Sequence, residues 1–133
     1  MLAGLLGVCV GTLLSVGLQH FNIHTRPLLD VTLPLQNVSP IWVAAVRGRT
    51  SSFPSDTATL FFGLSMVVFL ENRLIGVFCF LSTTAIIAIP RIIFGWHSPS
   101  DILGAAILGP GCVFFLRENF LLANFNRTHA QLI

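Results

Sequence analysis

The stretch RIIFGWHSPSD, residues 91–101, places Arg91 six residues before His97 and Asp101 four residues after it. A neutral imidazole can attack phosphorus, and a carboxylate on its far nitrogen fixes the tautomer and supports the charge that develops. Asp101 is close enough along the chain to reach back to His97. The planar fork of an arginine matches phosphate oxygens, which suits Arg91 and, further upstream, Arg26. Taken singly, either arginine reads equally well as an interfacial residue whose head snorkels to water. The tripeptide Pro-Ser-Asp occurs twice, at residues 54–56 and 99–101, each time just before an apolar run. Proline suits the first helical position and an acidic residue suits the first turn, so each copy reads as a helix start. Ser98, Pro99, Ser100 and Asp101 fit N-cap, N1, N2 and N3, whereas Ser52 or Phe53 precedes the first copy. Alone, each triplet is a helix cap. Two helix N-termini meeting at one surface would also form an anion cradle, with Ser55 and the arginines beside it.

Four apolar stretches must position these residues: 1–19, 57–70, 74–89 and 102–116. The chain of 133 residues is 54% hydrophobic and only 9% charged, against about a quarter charged in soluble domains. This composition predicts an all-α, polytopic transmembrane bundle of about four spans, forming one membrane-embedded domain over residues 1–133. The first stretch approaches the roughly 30 Å of a bilayer core at about 1.5 Å per residue; the others do so only with their polar flanks included. Residues 1–19 lack the basic start and small-residue cleavage site of a signal peptide. Residues 20–55 form a long loop carrying His20, His24, Arg26, Asp30, Arg47 and Arg49, and residues 118–133 form a tail. Counting crossings puts 20–55 and 90–101 on one side, with Trp42 and Trp96 as interfacial anchors. Ionisable residues collected at one membrane face predict a site there. Arginines on the two sides nearly balance, so charge alone sets no orientation.

The net charge of +2, with every basic residue an arginine and none forming a stripe, excludes a nucleic-acid partner. Cys9, Cys79 and Cys112 are too far apart for a metal site and read as buried thiols.

At RIIFGWHSPSD the sequence resembles the third signature of the PAP2 (type 2 phosphatidic acid phosphatase) superfamily: Arg, five residues, His, three residues, Asp. FPSDTA, residues 53–58, resembles the second signature in the form found among bacterial undecaprenyl-diphosphate phosphatases. HTRPLLD, residues 24–30, resembles the end of the first. The resemblance covers roughly residues 19–108. It implies a helical bundle with its site on one face, no metal and no cofactor, and a lipid phosphate or diphosphate as substrate. It implies that His97 is the nucleophile and forms a phosphohistidine, that Asp101 orients it, and that Arg26, Ser55 and Arg91 hold phosphoryl oxygens. The bacterial relatives imply an inner-membrane protein with an extracytoplasmic site; oligomerisation stays open. Relatives of this kind usually have about six spans, so either amino-terminal helices are missing here or the chain is a reduced form.

Three positions depart from the signatures. Gln19 stands where a lysine is expected, Pro90 where a serine often precedes the arginine, and Thr57 where a histidine acts as general acid. A threonine hydroxyl cannot donate a proton near neutral pH, which costs roughly 10²–10⁴-fold where the leaving group needs one. An alkoxide does need one, with a parent acid about as weak as water (pKa about 15.7). A phosphate leaving a diphosphate hardly does, since its second pKa is about 6. The expected reaction is therefore hydrolysis of a polyprenyl diphosphate to the monophosphate. His20 or His24 could replace the missing acid, and Arg47 or Arg49 could hold the second phosphate. The alternatives are a general lipid monophosphate phosphatase, a catalytically impaired lipid-phosphate-binding relative, and a purely structural membrane module.

Overall fold

The computed structural model describes residues 1–21, 23–29, 41 and 51–130, with side chains described as far as 123 in the last helix. Helix α1 spans Leu2–Gln19, and a short 3-10 turn follows at Pro27–Leu29. Helix α2 spans Asp56–Glu71 and α3 spans Arg73–Thr83. A π-helical turn at Thr84–Ala88 joins α3 to the short α4 at Ile89–Ile93, and α5 spans Pro99–Ala130. The described elements are all helical.

Three of these segments are long and apolar enough to cross a membrane: Leu2–Gln19, Arg73–Ile93 and Pro99–Ala123. The fourth apolar segment, α2, has 16 residues, about 24 Å of helix and short of the roughly 30 Å hydrocarbon core. Caps limit it at both ends. Ser55 is its N-cap, and Asn72 closes its carboxyl end while accepting the Ile75 N–H at 3.2 Å to start α3. Asn72 alone separates the two helices, so the short break between the apolar stretches 57–70 and 74–89 is a tight hairpin.

Large apolar side chains such as Leu13, Phe78, Ile107 and Phe115 lie on the outside. The interior mixes small residues with a few larger ones, the small ones letting helices approach closely where lipid is as apolar as leucine. Ala58, Phe62, Ala88, Ile102 and Ala105 pack together beneath the site. Val8, Val67 and Val113 form a second cluster where α1, α2 and α5 meet. Gly109 of α5 lets α2 approach so closely that a Cβ there would stand 2.3 Å from the Thr59 carbonyl oxygen. None of the cysteines is fully buried. Cys9 is exposed, and Cys79 and Cys112 are half-buried, correcting the expectation of buried thiols.

The last helix outruns its apolar run. It continues beyond Arg117 to Ala130 and passes through Pro110, so most of the expected tail at 118–133 is helical. The π-turn lies immediately upstream of Pro90, a residue that cannot donate to the helical ladder.

Candidate active site

The path to His97 is set by the end of α4. Gly95 has a φ of 67°, a left-handed conformation that only glycine adopts without strain. Its N–H donates to the Ile92 carbonyl at 3.0 Å, and the Trp96 N–H donates to the Arg91 carbonyl at 3.0 Å. This reciprocal pair ends the helix as a Schellman motif and turns the chain inward. The His97 N–H also reaches the Arg91 carbonyl, at 3.2 Å, and the His97 side chain is 1% exposed.

Two residues later α5 begins on a capping box. The Ser98 N–H donates to Asp101 Oδ2 at 2.7 Å, and the Asp101 N–H returns to Ser98 Oγ at 3.4 Å. The sequence reading of Ser98 as N-cap and Pro99 as N1 matches this start. The first Pro-Ser-Asp copy is placed differently. Pro54 lies outside the helix, after a cis Phe53–Pro54 bond, and Ser55 rather than Ser52 or Phe53 is the N-cap, its Oγ accepting the Ala58 N–H at 3.4 Å. The two helix starts do meet: the Ser55 N–H donates to the Asp101 carbonyl at 3.3 Å. Both Ser55 and Asp101 are fully buried.

The imidazole of His97 has two neighbours on the same nitrogen. Nδ1 lies 2.8 Å from the Ser52 carbonyl oxygen and 3.6 Å from Asp101 Oδ2. A carbonyl oxygen only accepts, so Nδ1 carries the hydrogen and the lone pair falls on Nε2. The carboxylate adds charge from beyond hydrogen-bond range, while Ser52 makes the hydrogen bond. The Ser52 carbonyl thus joins the expected carboxylate at Nδ1 and makes the shorter contact; a backbone carbonyl has no sequence signature.

Arg26 is 3% exposed and staples the same two segments. Its Nη1 donates to the Trp96 carbonyl at 3.0 Å and its Nη2 to the Ser51 carbonyl at 3.4 Å, each one residue before the His97–Ser52 pair. Arg91 is half-buried, with its guanidinium carbon 5.7 Å from the centre of the Trp96 ring, a cation–π arrangement with the residue next to His97. His24 joins the cluster through Nδ1, 3.3 Å from Asp101 Oδ1. Gln19 Nε2 donates to the Pro54 carbonyl at 2.9 Å, joined there by Ser15 Oγ at 3.2 Å. The glutamine at this position thus anchors the loop before α2. Thr57 is in the first turn of α2, with both its N–H (2.8 Å) and its hydroxyl (3.4 Å) directed to Asp56 Oδ1.

His20 ends α1 with an exposed side chain, its N–H on the Gly17 carbonyl at 3.1 Å. Arg47 and Arg49, like Asp30 and Trp42, lie outside the described residues. Sequence reasoning missed Ser51 and Ser52, both fully buried and both bonded to the His24 backbone. Their only signal was a pair of serines beside FPSD.

A buried histidine with a defined lone pair, a carboxylate behind it, two arginines and two converging helix N-termini can perform nucleophilic phosphoryl transfer. The family model of the PAP2 superfamily matches residues 2–122, nearly the whole chain. The chain belongs to the PAP2 superfamily. No curated protein and no solved structure matches it significantly. PAP2 membership supports a lipid-phosphatase kind of function, with lipid phosphates as substrates, and the three apolar helices make this a membrane protein.

Proposed function

We propose that this PAP2 protein hydrolyses a polyprenyl, undecaprenyl-type diphosphate to the monophosphate through a phosphohistidine on His97. The observation that carries this reading is the 2.8 Å contact between His97 Nδ1 and the Ser52 carbonyl, which leaves Nε2 as the nucleophile. The Nε2 lone pair attacks the terminal phosphorus in line, and the bond from that phosphorus to the bridging oxygen breaks. The lipid monophosphate departs with the bonding electron pair. Water then attacks the phosphohistidine, the phosphorus–nitrogen bond breaks, and inorganic phosphate leaves. Arg26, Arg91 and Ser55 hold the phosphoryl oxygens, Asp101 supports the charge on the phosphorylated ring, and Arg47 or Arg49 holds the inner phosphate.

Thr57 supports the choice of a diphosphate. The leaving phosphate needs little protonation, whereas the alkoxide of a monophosphate lipid needs a proton that a threonine cannot give. The bacterial inner membrane, with the site facing outward, is the setting that fits such a substrate. A second reading, a lipid-phosphate binder with impaired chemistry, draws on Thr57 and on the Arg26 donors directed to protein carbonyls.

The test is phosphate release from a panel of lipids by the detergent-solubilised chain. A prenyl diphosphate is expected to turn over faster than phosphatidic acid by about 10²-fold or more, and His97→Ala to abolish release. Equal rates on both lipids would favour a general monophosphate phosphatase, and tight phosphate-analogue binding without turnover would favour the impaired relative.

A further inference from the structure

One buried carboxylate serves two imidazoles. Asp101 turns Oδ2 toward His97 Nδ1, at 3.6 Å, and Oδ1 toward His24 Nδ1, at 3.3 Å. The rings differ in access to water: the His97 side chain is 1% exposed and that of His24 is 48% exposed.

His24 is held from several directions, although it lies in a connecting segment. Its N–H donates to Ser51 Oγ at 3.3 Å, and its carbonyl accepts the Ser52 N–H at 2.8 Å. The same carbonyl accepts the hydroxyls of Ser51 and Ser52, both at 3.2 Å. The ring meets Phe53 edge-on at 6.0 Å, and Ser100 Oγ lies 3.4 Å from Nδ1. Such an arrangement fixes the backbone and one edge of the ring while leaving the side chain in reach of solvent.

We propose that His24 is the general base of this site, activating the water that hydrolyses the phosphohistidine. The assignment rests on the reading of His97 as nucleophile. The Asp101 carboxylate accepts the Nδ1 hydrogen of His24, so the basic lone pair of the neutral ring is on Nε2. When water attacks the phosphohistidine, this nitrogen takes one water proton as the new oxygen–phosphorus bond forms. The phosphorus–nitrogen bond breaks, its electron pair returns to His97 Nε2, and His24 then passes the proton to bulk water. Asp101 thereby faces a positive ring at each stage, His97 while it is phosphorylated and His24 once it has taken the proton.

The experiment uses the full chain in detergent with a prenyl diphosphate labelled in its terminal phosphate, and compares His24→Ala and His24→Gln with wild type. Both substitutions are expected to slow phosphate release by roughly 10²–10⁴-fold. An acid-labile label should build up on the protein, and imidazole in the buffer should restore part of the rate to His24→Ala. Glutamine can keep the contact to Asp101 but cannot relay a proton, so a merely structural role predicts that it rescues. Wild-type rates in either variant, or a loss without label accumulation and without response to imidazole, would overturn the assignment of His24. A wild-type chain that releases no phosphate and takes up no label would instead overturn the reading of the whole site.

Discussion

His97 Nδ1 lies 2.8 Å from the backbone carbonyl oxygen of Ser52, closer than any carboxylate oxygen of Asp101. A neutral acceptor therefore sets the tautomer, and Asp101 supplies charge and a helix cap. This division of labour separates two effects that a single carboxylate usually combines.

Asp101→Asn tests the division. The amide oxygen can still accept the Ser98 N–H, so α5 should still start at Pro99. With Ser52 holding the tautomer, formation of the phosphohistidine, the step before His24 acts, should slow by less than the roughly 10⁴-fold seen where a carboxylate alone orients the ring. A loss as complete as that of His97→Ala would contradict the role of Ser52.

Thr57→His should restore a proton donor in the first turn of α2. The expected outcome is a selective gain on phosphatidic acid, about 10²-fold or more, with little change on a prenyl diphosphate. Parallel changes on both lipids would remove the leaving-group explanation for Thr57.

Gly95→Ala forces a Cβ into a φ of 67°, at a cost of about 1–2 kcal/mol. It should lower the melting temperature in detergent and also reduce turnover, because the same turn delivers His97. Gly95→Asn, which tolerates the left-handed region better, should lose less of both.

Gly109 and Gly111 make a matched pair within α5. A Cβ at 109 would collide with the Thr59 carbonyl at 2.3 Å, whereas at 111 it would meet nothing within 4 Å among the described residues. Gly109→Ala should destabilise by about 1–3 kcal/mol, and Gly111→Ala should be neutral or gain up to about 1 kcal/mol from helix propensity. Thermal denaturation of the two variants side by side decides this.

Apolar runs and caps are local, and these features were legible in the sequence. The helices, the Asn72 hairpin, the Ser98–Asp101 cap and the spacing from Arg91 to Asp101 all follow from neighbouring residues. The ends of helices were harder to see. Charge after Arg117 interrupts hydrophobicity without interrupting hydrogen bonding, so α5 continues to Ala130. Contacts made by the main chain were not legible at all. Ser52 acts on His97 through a carbonyl that every residue possesses, and His24 meets Asp101 across 77 residues of chain. The two identical Pro-Ser-Asp triplets show the same limit: Pro99 is inside its helix and Pro54 is outside, because tertiary contacts rather than the tripeptide decide where α2 starts.

The most direct test of the central claim is to trap the phosphoryl group on the protein. The chain is mixed briefly with a prenyl diphosphate labelled in its terminal phosphate, quenched in alkali, and mapped by mass spectrometry. Label on His97, stable in base, lost in acid and absent from His97→Ala, is the expected result. Undiminished phosphate release by His97→Ala, or label on another residue, would contradict it.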